Sequence, residues 1–228
     1  MVRSFPFTCP TCGTVHREAG LWQPWCMACL ESLKPWPLSA CPVCGQDQTE
    51  PGLCGTCQTN PPEREETRHL FTYEGTARDI LHSYKFKTWF FLSRAMAIGM
   101  VPRLYALGPE FNDAPLVPVP QHALRWLRYR FNPVGELTKQ LSALAGHPVR
   151  ILLRTTRHRP AQSRLRARER RAIPSGTYRF KTGNAPGRAI LIDDVFTTGS
   201  TIQACVSALK RGGVHRVAVI TFSRTPQG

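Results

Sequence analysis

The sequence predicts an α/β protein: a mostly parallel sheet with helices on both faces, preceded by a small N-terminal cysteine module. Three observations predict it. Beyond residue 67, short apolar runs alternate with amphipathic stretches, the pattern of parallel strands joined by crossover helices. Eight of the nine cysteines lie between Cys9 and Cys57, as four Cys-x-x-Cys pairs. One apolar run, residues 189–192, leads straight into two acids and a hydroxyl-rich turn.

The elements follow in order. Residues 69–73 read as a strand ending at Gly75. Residues 77–86 read as an amphipathic helix whose apolar face carries Ile80, Leu81 and Tyr84. A second helix over 90–107 stops at Gly108-Pro109, and Leu116-Val-Pro-Val119 is a short strand. Asn132 caps a helix that opens on Pro133 and runs to about Ala145. Residues 149–153 form another strand. The chain closes with a strand over 187–192, a helix over 201–211 ending at Gly212-Gly213, and a strand over 217–222. The composition changes at Asn60-Pro61-Pro62, which places a boundary between residues 58 and 67. The module therefore spans residues 1–60 and the α/β domain residues 61–228.

The pairs Cys9/Cys12, Cys26/Cys29, Cys41/Cys44 and Cys54/Cys57 are a metal pattern. Each Cys-x-x-Cys turn aims two thiolates at one ion, and two turns complete a tetrahedral zinc site. Cys9-Pro-Thr-Cys12-Gly13 and Cys41-Pro-Val-Cys44-Gly45 have the knuckle form, with glycine at the turn. A disulfide framework would call for an export signal, and none precedes Cys9. A redox Cys-x-x-Cys would sit beside a βαβ pattern, which is missing around these pairs. Eight thiolates hold one or two structural zinc ions, with pairing either sequential or crosswise. Trp22, Trp25, Leu30, Leu33 and Trp36 are the apolar filling, so metal binding supplies most of the folding energy. Cys205, alone in the helix over 201–211, reads as a small core residue.

The segment Ile190-Leu-Ile-Asp193-Asp194-Val-Phe-Thr197-Thr198-Gly199-Ser200-Thr201 carries the chemistry. In open α/β sheets, ligands bind at the carboxyl ends of strands. A tight turn into a helix exposes backbone N–H groups, and the hydroxyls of Thr197, Thr198, Ser200 and Thr201 add donors for a dianionic phosphate. Gly199 allows close approach of the backbone. Asp193 and Asp194 suit two vicinal sugar hydroxyls or a hydrated Mg²⁺. A Walker A loop is excluded, because no Gly-Lys-Ser/Thr follows the strand. A bland strand-to-helix link capped at Thr198 or Ser200 would explain one hydroxyl and leave the acids without a role.

The net charge of +15 is unevenly spread. Residues 115–192 hold sixteen Lys/Arg against Glu136 and Glu169, whereas residues 1–113 are close to balanced. Nine arginines fall between Arg150 and Arg171: 150, 154, 157, 159, 164, 166, 168, 170 and 171. Such a density suits an anionic partner, either pyrophosphate oxygens gripped by guanidinium forks or a nucleic-acid backbone with Tyr178 or Phe180 as stacking platforms. Residues 89–107, the best apolar stretch, are interrupted by Arg94 and Arg103, so membrane insertion is not expected and a cytoplasmic location is.

The 190–201 segment resembles the phosphoribosyl-pyrophosphate (PRPP) motif of type I phosphoribosyltransferases. Four further features are similar to the ComF/GntX family: the leading Cys-x-x-Cys module, Val117-Pro-Val-Pro120, Arg130-Phe131-Asn132, and Gln162 followed by Glu169-Arg170-Arg171. The resemblance runs over nearly the whole chain. It implies a phosphoribosyltransferase-like fold, in which Asp193 and Asp194 contact ribose hydroxyls directly or through Mg²⁺ and residues 197–201 hold the 5-phosphate. It also implies that Arg125 faces the pyrophosphate. Arg130 and Pro133 stand where the family commonly has Gly and Gln.

Two functions agree with these features. In the first, the chain is a ComF-like protein of DNA uptake in natural transformation that binds PRPP with Mg²⁺. It would also contact single-stranded DNA through Arg157, Arg159, Arg164, Arg166, Arg168, Arg170 and Arg171, beside other proteins of the competence machinery. In the second, it is an active phosphoribosyltransferase of nucleotide metabolism or salvage acting on an unread acceptor, with the departing pyrophosphate stabilised by metal and arginines. No residue pattern marks a general base.

Overall fold

The computed structural model describes residues 6–17, 24–86, 91–121, 132–156, 173 and 176–226. A four-stranded sheet forms its centre, built from β3 (Glu66–Thr72), β4 (Leu116–Pro118), β7 (Arg188–Phe196) and β8 (Arg216–Arg224). Their order is β3-β8-β7-β4 and every pairing is parallel. Parallel strands need crossover connections, which lay helices on the sheet faces. On one face lie α3 (Gly75–Phe86), α4 (Leu92–Tyr105) and α5 (Pro133–Ala145), packed on Ile190, Ile192, Ala218 and Ile220. On the other, α6 (Ser200–Arg211) covers the alternate residues Ala189, Leu191, Val217 and Val219. The expected α/β class, a parallel sheet covered on both faces with a cysteine module attached, is what the chain forms.

Local chemistry accounts for the helix ends. Asn132 Oδ1 accepts from Gly135 N at 3.0 Å and Pro133 occupies the first turn of α5, whose C-cap Gly146 is left-handed. The α4 helix buries Leu92, Ala95, Met96, Ala97, Met100 and Leu104. That near-continuous apolar surface fits its place between the sheet and α5.

Two sequence expectations shift. The expected strand over 149–153 is not regular: Val149 makes a single bridge to Leu116, and the chain then leaves the sheet. The ordered strand is β5 (Leu153–Thr155), paired antiparallel with β6 (Tyr178–Phe180) in a separate hairpin. Leu152 and Leu153 read as strand because they are apolar, yet their burial is against the α6 face of the core. The first strand also starts earlier than expected, at Glu66, because the polar run Glu66-Thr67-Arg68 hides the alternation.

The cysteine module contains the two-stranded ribbon β1 (Phe7–Thr8) and β2 (Val15–His16), and the short helices α1 (Met27–Glu31) and α2 (Gly55–Thr59). Of its expected filling, Trp25 and Leu33 are buried in the same cluster as Leu70, Phe71 and Ile80, and Trp36 is also buried; Trp22 lies outside the described residues. The module also covers the β3 edge of the sheet. Trp36 N donates to Leu70 O, Thr72 N to Lys34 O and Thr67 N to Pro42 O, each within 2.9 Å. An open strand edge invites pairing with other chains, and these bonds close it.

Candidate functional site

The cysteines resolve into two groups. Cys9, Cys12, Cys26 and Cys29 form one, and Cys41, Cys44, Cys54 and Cys57 the other, the sulfurs in each lying within 4.8 Å of one another. Of the two pairings the sequence left open, the sequential one is observed. Sulfur pairs stand 3.7 Å apart (Cys9–Cys29), 3.6 Å (Cys12–Cys26) and 3.6 Å (Cys44–Cys54). A tetrahedral ion with metal–sulfur bonds of ~2.3 Å sets its ligands about 3.8 Å apart, whereas a disulfide needs about 2.05 Å. The donor set and spacing therefore fit two tetrahedral four-thiolate metal centres. Gly45 closes the second knuckle with φ +73, and its amide donates to Cys41 O at 2.8 Å. A Cβ there would lie 2.3 Å from His69 Nε2, so glycine is required twice over.

The 193–201 segment sits where β7 turns into α6. β7 continues to Phe196, four residues past the expected strand end, so both acids are inside the strand and buried, at 8% and 7% exposure. Adjacent strand residues point to opposite faces. Asp194 faces α3, where Lys85 Nζ lies 2.7 Å from its Oδ2. Asp193 lies near Cys205 of α6, whose thiol is pushed up by burial and by that carboxylate. Burial alone would lower the Lys85 pKa, but the Asp194 charge and hydrogen bond outweigh it and hold it raised.

The turn itself is open. Thr197 and Thr198 are exposed, and Thr198 Oγ1 lies 2.9 Å from Ser200 Oγ. The N-cap of α6 is Gly199 rather than Thr198 or Ser200, and Thr198 Oγ1 accepts a long bond from Ser200 N at 3.4 Å. Two of the four hydroxyl residues, Thr198 and Ser200, line a groove of about 560 Å³ together with Gly199, Arg64, Tyr178 and Arg211. Gly199 has φ +78, and a Cβ there would meet Phe196 Cζ at 2.6 Å.

Behind Phe196 lies a buried cluster that the sequence did not announce. Arg64 and Arg224, 7% and 2% exposed, both donate to the Cys44 carbonyl, at 3.3 and 2.8 Å. Their guanidinium carbons sit 5.6 and 4.6 Å from the Phe196 ring centre. Burial lowers both arginine pKa values, while the thiolate charge of Cys44 raises them. His69 Nε2 accepts from Arg224 at 3.2 Å, so its Nδ1–H donates to Thr221 Oγ1 at 2.7 Å. Burial first, and then the surrounding arginines, push its pKa well below the ordinary value. The imidazole is neutral.

Arg125, Arg157, Arg159, Arg164, Arg166, Arg168, Arg170 and Arg171 lie outside the described residues. Of the flanking arginines, Arg150 donates to Asn184 O, while Arg154 and Arg179 are exposed and directly opposed in the β5–β6 hairpin. Phe180 packs against Gly212, whose added Cβ would meet its ring at 2.1 Å, so this ring is committed to packing rather than stacking; Tyr178 lines the groove instead. Lys85 was legible in principle: it follows Leu81 by four residues, which puts a cation beside the apolar face of its helix. Among the described residues, no helix is long and apolar enough to cross a membrane.

No family model matches the chain. It is 26% identical to Competence protein F of Haemophilus influenzae, over 98% of this chain and 100% of that protein. It is 28% identical to the DNA utilization protein YhgH of Escherichia coli K12, covering 81% of this chain and 84% of that one. Competence protein ComFC of Streptococcus pneumoniae is 27% identical over 81% of this chain and 80% of its own length. The resemblance to ComF proteins drawn from the motifs thus extends to full-length similarity. Among solved structures, the allosteric regulatory enzyme of purine biosynthesis matches with a TM-score of 0.38 and 17% identity, over 57% of this chain and 25% of that chain.

Proposed function

We propose that this chain is a ComF-like protein of DNA uptake that binds PRPP, or a related ribose phosphate, with Mg²⁺ at the 193–201 segment. The observation that carries the ligand is the glycine N-cap of α6 at a groove lined by Thr198 and Ser200, next to two buried acids. A helix N-terminus at the edge of such a groove suits a phosphate dianion. Asp193 and Asp194 would hold the sugar hydroxyls, directly or through Mg²⁺, and Lys85, 2.7 Å from Asp194 Oδ2, would hold that side chain in place in the free protein. The biological setting rests on similarity to Competence protein F and ComFC. The two cysteine clusters hold structural zinc, residues 1–60 serve as the module and 61–228 as the ligand-binding domain, and the protein works in the cytoplasm.

Single-stranded DNA is proposed as a second partner. Arg154 and Arg179 face each other across β5 and β6, exposed, at the base of the segment that carries the arginine run. Like charges directly opposed are unfavourable in a sheet unless an anion relieves them. Activity as a phosphoribosyltransferase, with an oxocarbenium-like transition state and the acceptor undefined, is the second reading; the buried acids and open loop support it equally.

Calorimetric titration of PRPP with Mg²⁺ tests the ligand. The wild type should bind, and the Asp193→Asn/Asp194→Asn variant should not; no binding by the metal-loaded wild type refutes the reading. For DNA, affinity should fall steeply with salt, with a log–log slope of about −0.7 per neutralised phosphate. Arg154→Ala/Arg179→Ala should make that slope shallower, and an unchanged slope removes the hairpin from the interface.

A further inference from the structure

We infer that Arg64, Arg224 and Phe196 are positioning residues through which the second cysteine cluster sets the 197–200 turn, so that the ligand site is formed only while Cys41, Cys44, Cys54 and Cys57 hold their metal. The turn's role in ligand binding rests on the function proposed above; the coupling does not.

The path is continuous and short. Four thiolates around a divalent ion leave a centre of charge −2. Arg64 and Arg224 are buried directly behind it, and among the described residues neither has a carboxylate within salt-bridge distance. Two buried guanidiniums with no carboxylate in direct contact are strongly unfavourable, so the metal–thiolate centre is what makes their burial tolerable. Both are drawn to it through the Cys44 carbonyl. Held there, they fix the Phe196 ring by cation–π contact, and the His69 ring adds an edge contact at 5.0 Å between centroids. Phe196 Cζ in turn fills the space where Gly199 lacks a side chain. Gly199 is the N-cap of α6, so its placement directs the amides that would receive phosphate.

Among the described residues, no such chain of contacts links the first cluster to the turn. Its surroundings pack into the core, and its hydrogen bonds to α3 join Ser83 Oγ, donating to Pro10 O at 3.4 Å, and Ser32 with Thr76 at 2.6 Å. The two clusters share one ligand chemistry, and each serves as a control for the other.

Hydrogen exchange of the amides of residues 197–201 reads the coupling without any ligand. Relative to the zinc-loaded wild type, Cys41→Ser/Cys44→Ser should speed exchange there by about tenfold or more, and Cys9→Ser/Cys12→Ser by less than about twofold. Arg224→Met, which leaves all eight cysteines in place, should reproduce the acceleration while retaining both metals and a cooperative melt. That variant decides the matter if loss of the second cluster prevents folding. Unchanged exchange at 197–201 in Arg224→Met, or equal acceleration on loss of either cluster, overturns the inference. PRPP affinity should weaken by about tenfold in Arg224→Met. If the wild type binds no PRPP while exchange still responds to the second cluster, the coupling stands and the ligand assignment falls.

Discussion

The two cysteine clusters use the same ligands and the same knuckle, yet their surroundings differ. Cys9, Cys12, Cys26 and Cys29 pack beside Trp25 and Leu33 and lean on helix α3, with Cys12 exposed. Cys41, Cys44, Cys54 and Cys57 lie against the β3 edge with two buried arginines and a neutral histidine behind them. The first cluster is a packing element. We infer that the second, once metal-loaded, is also a counter-ion. A Cys-x-x-Cys pair thus specifies a site able to hold a metal, while the residues arriving from elsewhere in the chain specify what that metal's charge would do.

The largest expected effect is metal removal. A structural zinc contributes on the order of 10 kcal/mol, so chelation at neutral pH should remove two ions per chain and abolish cooperative melting, followed by calorimetry and a colorimetric zinc assay. One ion per chain would break the symmetry between the clusters. On the α3 side, Lys85→Met leaves Asp194 buried without its partner and should cost about 3 kcal/mol in denaturant unfolding. Adding Asp194→Asn should recover much of that loss. Gly199→Val places a Cβ against Phe196 at positive φ and should cost about 1–3 kcal/mol, together with ligand affinity.

A smaller effect separates the clusters by acid. The folded-state pKa of His69 lies well below its unfolded value. Stability is therefore complete above the unfolded value, about 6.5, and falls by up to about 1.4 kcal/mol per pH unit below it. Stability measured from pH 7 to 5 should show this slope, and His69→Gln should flatten it. The finest test is the order of thiol labelling just after a chelator strips the metal, before the fold is lost. Thr14 draws the exposed Cys12 thiol down to about 6. Cys41 reaches about 6 as well, where backbone hydrogen bonds outweigh the burial that raises it. Iodoacetamide at pH 7 should modify Cys12 first, because only that thiolate is accessible.

The fold class, the helix from Pro133 to Ala145 with its Asn132 cap, and the β7–α6 turn were legible because each is written in a short window of sequence. The strand over 149–153 misled because two buried leucines look the same whether they enter a sheet or cover a helix. Tyr178 and Phe180 looked alike as exposed aromatics until Gly212 was found beneath the second.

By itself the sequence determined the four Cys-x-x-Cys turns, the alternation of strands and helices, and the acid–hydroxyl–glycine segment. Spacing along one turn or one strand defines that chemistry, and spacing survives without the rest of the fold. Only the tertiary structure decided that the cysteines pair sequentially, that the two acids face opposite sides of β7, and that Lys85 neutralises one of them. It also decided that Arg224 reaches Cys44 across 180 positions of chain to sit beneath the turn. Such contacts form when distant segments bury charge together, and no local pattern of residues encodes which charges will meet.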